Sequence, residues 1–360
     1  MNHSIQQDAL LHTLRSFALD GEVASCIPYG GGHINSTHLV TDCTGTRYIL
    51  QRINDHVFRD VDALMDNICM VTDYLHRDGC EEGTLTFIPT RDGSYYTQNE
   101  YGYWRMYRFV EDSICLQAPE SDQDFYESAV AFGRFQQALK DFPVEKLHTT
   151  IPNFHNTPDR YRLFREAIAR DPMGRVREVQ PEIDFILSHE ETVCRPQHML
   201  EEGQLPQRVT HNDTKLNNVL LDAENHKALC VIDLDTVMPG LSIFDFGDSI
   251  RFGASTADED ERDLSKVTMS LDRFRAFTRG FVRSCPGLTE TELAMLSDGA
   301  RTITLECGMR FLTDYIDGDH YFATQREGQN LDRCRTQLKL VYDMERKWED
   351  MQRIVREEQQ

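Results

Sequence analysis

Basic residues are in short supply in this 360-residue chain: 38 Lys and Arg face 60 Asp and Glu, a formal charge of −22. No run of Lys and Arg could track a phosphate backbone or an anionic leaflet, so nucleic acid and membrane surfaces are excluded as expected partners. Long apolar runs are also missing. The longest, Ala228 to Ile232, has five residues, against the roughly 20 that a membrane helix needs. The first residues lack a basic segment followed by a compact apolar one, and Asp8 falls where a signal peptide would be most apolar. With 21 Gly and 12 Pro there is no low-complexity tract, and the whole chain is expected to fold. Ten cysteines are scattered from Cys26 to Cys334 with no CxxC pair and no His cluster nearby, which gives neither a zinc site nor a redox motif. Reduced thiols in a cytoplasmic protein are the expectation.

What remains is globular composition, 40% hydrophobic and 27% charged, at a length that suits about two domains or lobes. From Val23 to Phe109 strands and turns dominate. IPYGGGHINSTHLVTD reads as strand, glycine turn and returning strand, and TRYILQRI as a third strand after the turn at Cys43 to Gly45. Val57, Val61, Leu64, Ile68, Val71 and Leu75 recur at helical spacing and predict an amphipathic helix ending at Gly79. TLTFIPT and YWRMYRFVE, on either side of the Asp92-Gly93 turn, complete five strands. Ahead of them a surface helix is predicted, with Leu10, Leu11, Leu14 and Phe17 turned inward.

Beyond Asp112 helical patterns take over, beginning with DFYESAVAFGRFQQALKDF, whose Phe125, Phe132, Phe135 and Leu139 share a face. Short strand-like runs (RVTH, NNVLLD, ALCVIDLD) interrupt the helices between residues 208 and 253. The chain closes on a stripe of Cys334, Leu338, Val341, Met344, Trp348 and Met351, read as one packed terminal helix rather than a coiled-coil surface.

The interruption carries the chemistry. HNDTKLNN places His211, Asp213 and Asn218 as HxDxxxxN, and Asp233 follows fifteen residues after Asn218, at the end of ALCVI. Phosphoryl transfer needs these parts: a carboxylate to receive the attacking hydroxyl's proton, for which Asp213 is the candidate, and oxygen ligands for Mg²⁺, for which Asn218 and Asp233 are. Asp and Asn in loops ordinarily punctuate turns. Four such residues at this spacing, behind a strand-rich lobe with a glycine turn, favour the functional reading.

At these residues the chain resembles the two-lobed kinase superfamily, and within it the small-molecule kinases of the aminoglycoside phosphotransferase and choline kinase type. HxDxxxxN followed by an apolar strand ending in IDxD is their catalytic segment. The longer strings HNDTKLNNVLLD, VIDLDTVMPGLSIFDFGDSIRFGAST and LECGMRFLTDYIDGD resemble the branch that phosphorylates N-acetylhexosamines at carbon 1. The resemblance covers almost the whole chain. It implies an α+β, protein-kinase-like fold of two lobes: an antiparallel sheet lobe over residues 1–110 that binds nucleotide, and a larger, mainly helical lobe over 111–360. It implies ATP and Mg²⁺ as cofactors, and N-acetylglucosamine or N-acetylgalactosamine as the sugar substrate. Asp213 would be the base that orients the anomeric hydroxyl, and Asn218 and Asp233 the magnesium ligands. His211 would stand behind them, Asp245 in FDFGD would fix the catalytic loop, and Asp248 and Asp235 are neighbouring candidates.

In the sheet lobe, Gly30, Gly31 and Gly32 lie between two strands, where missing Cβ atoms let backbone amides approach phosphates. Asn35 and Ser36 are expected to steady that loop. The stretch from Tyr107 to Glu111 matches the junction where such kinases hold adenine through backbone groups, which makes Arg108 and Val110 candidates for their main chain. One departure stands out. Related kinases carry a Lys on the third strand paired with a Glu on the next helix. Here that strand position is Gln51, and residues 55–78 contain several Asp but no Glu. A neutral Gln51 to Asn67 pairing is the expected replacement.

An uncharged sugar calls for hydrogen-bonding groups and an apolar platform. Glu306, Arg310 and Asp314 recur at spacings of four along one helical face. A surface salt-bridge ladder is the alternative reading. The resemblance favours Arg310 and Tyr321 as sugar contacts, joined by Phe252 and by His33, which would otherwise pack in its hairpin. Kinases of choline, homoserine or an aminoglycoside are the rival readings within this class, and a nucleotide-binding pseudokinase is the rival outside it.

Overall fold

HLV, RYILQRI and YWRMYR are dense in β-branched and aromatic residues, the composition of strands. In the computed structural model, which describes residues 3–30, 35–77 and 83–360, these segments form one antiparallel sheet in the order β1-β2-β3-β5-β4. Its strands are β1 (Val23–Pro28), β2 (Ser36–Asp42), β3 (Arg47–Ile53), β4 (Tyr96–Asn99) and β5 (Gly102–Arg108). Leu14 of helix α1 (His3–Ser16) and Phe17 pack with Val40, Tyr48, Leu50, Trp104 and Met106 of the sheet. Helix α2 (Val61–Arg77) buries Leu64, Met65, Ile68, Val71 and Leu75 in the main core.

Three expectations need correcting in this region. Leu11 is 44% exposed rather than inward, and Val57, exposed as well, precedes the helix whose stripe it was to begin. The fourth strand is Tyr96–Asn99 and not TLTFIPT. That segment follows the other half of the same edge of β5, where Ile88 N–H donates to Met106 O and Arg108 N–H to Thr86 O, each at 2.8 Å. It stops at Pro89, which has no N–H to extend a ladder.

The helical region opens with β6 (Ser113–Ile114) and α3 (Asp122–Ala138), whose N-terminus is closed by a capping box between Ser121 and Asp124. Helices α4 (Thr157–Arg170), α5 (Gln180–Leu187) and α6 (Glu190–Glu201) follow. β7 (Arg208–Thr210) pairs with β10 (Met238–Gly240), and β6 with β8 (Val219–Asp222), which pairs with β9 (Ala228–Val231). After α7 (Ser242–Gly253) come α8 (Leu271–Ser284), α9 (Glu290–Ala294) and α10 (Leu296–Asp317). Phe246 of α7 meets Phe274, Phe277 and Phe281 of α8 at 5.6–5.9 Å. Where α7 crosses α10, a Cβ on Gly299 would lie 2.1 Å from Ile243 O, and one on Gly247 would lie 2.4 Å from Gly299 O, so the two backbones touch. The terminal stripe is two helices, α11 (Gln329–Arg346) and α12 (Trp348–Glu358), broken at Lys347. There the Lys347 Nζ reaches Met269 O and Asp343, each at 2.7 Å. Among the described residues no helix is long and apolar enough to cross a membrane, and the nine cysteines are free.

Candidate active site

The HNDTKLNN segment runs from the end of β7 to β8, and its shape is set by α7. Asp245, in the first turn of α7, accepts the backbone N–H groups of His211 and Asn212 at 2.8 Å each, and Gln136 of α3 donates to the same carboxylate at 2.8 Å. His211 is fully buried; its Nε2 donates to Ile232 O at 2.9 Å, which leaves Nδ1 to accept the Asp213 N–H at 3.3 Å. Asn212 takes a left-handed conformation at φ 64°, one that Asn and Asp tolerate better than other side chains. Its side chain is fixed by Thr210 and Thr236 at 3.0 and 2.9 Å. Asp248, one turn along α7, accepts the Thr214 N–H at 3.0 Å and pairs with Arg251 at 2.9 Å.

Asp213 emerges from this scaffold at the floor of a cleft. Burial there would raise its carboxyl, but Lys215 at 2.8 Å, with Arg251 beyond, holds it below the ordinary aspartate range. Asn218 donates its amide to Asp213 O at 2.7 Å and to the Asp213 carboxylate at 3.1 Å. Asp233, also left-handed at φ 59°, faces the same cleft. Burial, with the charges of Asp235 and Asp213 beside it, pushes Asp233 up to about 6. A carboxyl held high by repulsion is relieved by a cation, so the donor set suits a hard metal ion. Among the described residues no three His, Cys, Asp or Glu side chains converge into a metal cage. Asn218 and Asp233 would therefore share an ion with phosphate and water oxygens, as Mg²⁺ prefers.

Asp235 is engaged elsewhere. Its two oxygens receive the Asn35 amide at 2.6 Å and the guanidinium of Arg105, which is 2% exposed. Arg105 stands opposite Gln51 in the β3–β5 register, and its Nε and Nη2 donate to Gln51 Oε1 at 3.0 and 2.9 Å. The Gln51 to Asn67 pairing expected from sequence is therefore not formed. Asn67 instead exchanges hydrogen bonds with the His148 backbone at 2.8 Å each and donates to Val237 O at 3.0 Å, tying α2 to the helical region. The first lysine of the chain is Lys140, so the buried cation behind Gln51 is an arginine one strand away.

The cleft encloses about 550 Å³. Ile49 of the sheet stands across from Leu220 and Ile232, and Tyr29 meets Phe109 edge to face at 5.8 Å near Val110, which makes a flat apolar slot. Gln51, Thr37 and Asn35 line the same cleft. Gly30, at φ +72°, borders the cleft in a conformation that favours glycine. Gly31, Gly32 and His33 lie outside the described residues. Arg108 is not among the residues that line the cleft: its N–H donates to Thr86 O, and its exposed side chain pairs with Asp20 at 2.9 Å.

Beyond Asp213, α10 and its neighbours wall off a second region. Arg310 lies 5.5–5.7 Å from the ring centroids of Phe154, Tyr321 and Phe322, and its Nη2 reaches the Tyr321 hydroxyl at 3.4 Å. Glu306 pairs with Arg310 at 3.7 Å and with His155 at 3.1 Å. Asp314 is no rung of a ladder, because it accepts the N–H groups of residues 320–322 at 2.8–2.9 Å and so folds Tyr321 back over Arg310. Phe252 is half-buried near the end of α7. Sequence reading passed over Lys215, Arg105 and His155. Lys215 stands inside the quoted motif, whereas Arg105 and His155 carry no local signal.

The model of the phosphotransferase enzyme family matches residues 25–267. Among solved structures, a microcompartment-associated aminopropanol kinase is 16% identical, with 97% of this chain and 98% of that one covered at a TM-score of 0.57. A choline kinase from Cryptosporidium parvum Iowa II is 12% identical, with 96% of each covered at 0.60. An amicoumacin kinase in complex with AMP-PNP, Ca²⁺ and Ami is 13% identical, with 94% and 96% covered at 0.58. At these identities the likeness establishes a shared fold.

Proposed function

The chain belongs to the phosphotransferase enzyme family, and on that premise we propose that it transfers the terminal phosphoryl group of ATP, with Mg²⁺, to a hydroxyl of an uncharged small molecule. The acceptor we propose is the anomeric hydroxyl of an N-acetylhexosamine, N-acetylglucosamine or N-acetylgalactosamine, with the sugar 1-phosphate as product. The observation that carries the reading is that Asp213 and Asp233, from separate loops, line one cleft together with the apolar side chains of Ile49, Leu220 and Ile232. The AMP-PNP and Ca²⁺ bound by the amicoumacin kinase of the same fold support a nucleotide and a divalent cation. We place the lobe boundary at residues 110 and 111, and free cysteines support a cytoplasmic setting.

In this mechanism Asp213 accepts the acceptor's O–H and aims its oxygen at phosphorus. Lys215 keeps the carboxylate ionised, and a carboxylate this acidic takes the proton late, once the new oxygen–phosphorus bond is forming. The bound cation would offset charge on the phosphates, with Asn218 and Asp233 as its protein ligands. Val110 and the slot walls hold the base, and Gln51 and the Gly30 turn face the phosphates.

The acceptor side supports a neutral substrate over a cationic one. Glu306 is paired with His155 and Arg310, Asp248 and Glu259 with Arg251, and Asp314 with backbone amides. Three aromatic faces that could cage a quaternary ammonium already surround Arg310. Choline and polycationic antibiotics would have to displace Arg310 from these rings and the existing partners from these carboxylates. The test is phosphorus NMR with ATP, Mg²⁺ and, in separate tubes, N-acetylglucosamine, N-acetylgalactosamine, choline, homoserine and kanamycin. An anomeric phosphate doublet with a hexosamine alone is the expected result, and transfer to a cationic acceptor instead would overturn the sugar assignment.

A further inference from the structure

The ring of His155 lies between two groups that can only accept. Its Nδ1 is 3.1–3.2 Å from both carboxylate oxygens of Glu306, and its Nε2 is 3.3 Å from the backbone carbonyl of Asn212. A neutral imidazole carries one N–H and could satisfy one of them, leaving a ring lone pair against an oxygen lone pair at the other. Both contacts are satisfied together only when both nitrogens carry protons. The site is close and mostly dry: the His155 side chain is 13% exposed and that of Glu306 1%, with Phe154 at 4.4 Å and Phe244 at 6.0 Å from the ring.

We propose that His155, as an imidazolium, is a positioning residue that holds the peptide leading into Asp213 and couples it to Glu306 on α10. This rests on the reading of Asp213 as the carboxylate that aims the acceptor hydroxyl. The Asn212–Asp213 peptide is the last rigid plane before that carboxylate. Asp245 fixes the chain from the N–H side of Asn212, and His155 from its carbonyl side. The N–H of this plane is held by a long contact of 3.3 Å to His211 Nδ1, so with Asn212 already left-handed a lost carbonyl bond leaves the plane on that one contact, and it tilts and moves Asp213 with it. Glu306 in turn is 3.7 Å from Arg310, so a group that binds beside Arg310 acts on the same hydrogen-bonded chain that ends at Asn212.

The charged groups around the ring agree with a protonated state. Glu306 and Arg310 face it from α10 and Asp248 from α7, while Arg160 of α4 acts on Glu306 from behind. Burial alone would strip the ring of its second proton and Arg310 works the same way. The charge of Glu306 and its hydrogen bond outweigh both and hold the ring's proton affinity above that of an ordinary histidine.

The test joins spectroscopy with kinetics. In the full-length protein labelled with ¹⁵N-histidine, the ring of His155 at pH 7, assigned by the signal that His155→Gln removes, should show both nitrogens protonated. His155→Gln offers an amide donor without titration, so kcat should fall about tenfold or more while KM for ATP holds, and the alkaline fall in kcat expected of the native chain, as the ring gives up its second proton, should be absent. The ¹⁵N amide shift of Asp213 should move in the variant, a readout that needs no turnover. A single-tautomer neutral ring at pH 7, an unmoved Asp213 amide, or a variant with native kcat and native pH profile would each overturn the proposal. Should the native chain phosphorylate none of the acceptors offered, the functional reading fails while the ring and amide signals still decide the protonation and the coupling.

Discussion

Arg105 of β5 and Asp235 of the loop after β9 form a buried ion pair between the sheet and the helical region. Asn35 takes the second oxygen of Asp235 at 2.6 Å, and Gln51 takes the remaining face of the guanidinium. One carboxylate thus ties the glycine turn, the sheet and the loop that bears Asp233.

Breaking such a pair from one side leaves a buried charge with no counterion, which costs about 3–5 kcal/mol. Arg105→Met should lower the urea midpoint accordingly, and Arg105→Lys should recover only part, since a lysine cannot reach Gln51 and Asp235 with a planar fork. Removing both charges, as Arg105→Met with Asp235→Asn, should be milder than Arg105→Met alone. A single Arg105→Met with native stability would contradict the pairing.

Gln51 presents an amide whose carbonyl is anchored on Arg105 and whose Nε2 lies 3.2 Å from the Thr37 hydroxyl. Gln51→Ala should raise KM for ATP and weaken ADP binding while leaving adenosine binding unchanged. An unaltered KM for ATP would remove Gln51 from the nucleotide site.

Asp213→Asn keeps the size and most hydrogen bonds of the side chain but loses the proton acceptor. A fall in kcat of roughly 10²- to 10⁴-fold is expected, with ADP affinity retained in a titration calorimeter. Retained turnover would mean that another group receives the proton.

Arg310→Ala should cut kcat/KM for the sugar roughly 10- to 100-fold, the worth of a charged hydrogen bond, while KM for ATP stays put. The same change bares the rings of Phe154, Tyr321 and Phe322, so weak choline binding should become measurable. A variant that treats both ligands as the native chain does would make Arg310 a structural residue.

Glu292, at the start of α9, joins Arg208 of β7 at 2.5–2.6 Å and the Ser242 hydroxyl at 2.5 Å. Burial would raise its carboxyl, yet these partners hold it below the ordinary 4.5 of glutamate. A depressed carboxyl stabilises the fold fully above the unfolded value, and that contribution is lost as pH falls through the folded one. Melting curves should therefore show Tm falling on the acid side of pH 4.5, and Glu292→Gln should lower Tm at pH 7 while flattening that fall. A parallel pH profile in the variant would show that other groups govern acid unfolding.

The candidate catalytic loop was legible because its parts are contiguous: Asp213 and Asn218 lie in one eight-residue string, and Asp245 follows in a single Asp-rich run. The five-stranded sheet was legible in number, but β4 was missed because YTQN is short and polar while TLTFIPT has the composition of a strand until Pro89 ends it. Arg105 could not be read, since only the β3–β5 register sets it beside Gln51. His155 lies 57 residues from the carbonyl it meets, a distance no local pattern spans. Asp314 deceived by periodicity, because spacing of four fixes a helical face but not which backbone folds over it.

The glycine contact between α7 and α10 acts as a ruler. α7 carries Asp245, which shapes the loop of Asp213, and α10 carries Glu306 and Arg310 on the proposed acceptor wall. Because Gly247 and Gly299 bring main chain against main chain, no exchange of side chains at the crossing can bring these helices closer, and any added Cβ forces them apart. The spacing between the loop of Asp213 and the proposed acceptor wall is therefore set by the main chain. Variation in the molecules it accepts must arise in the loops that bear Phe154 and Tyr321, which can diversify while the span beneath them stays fixed.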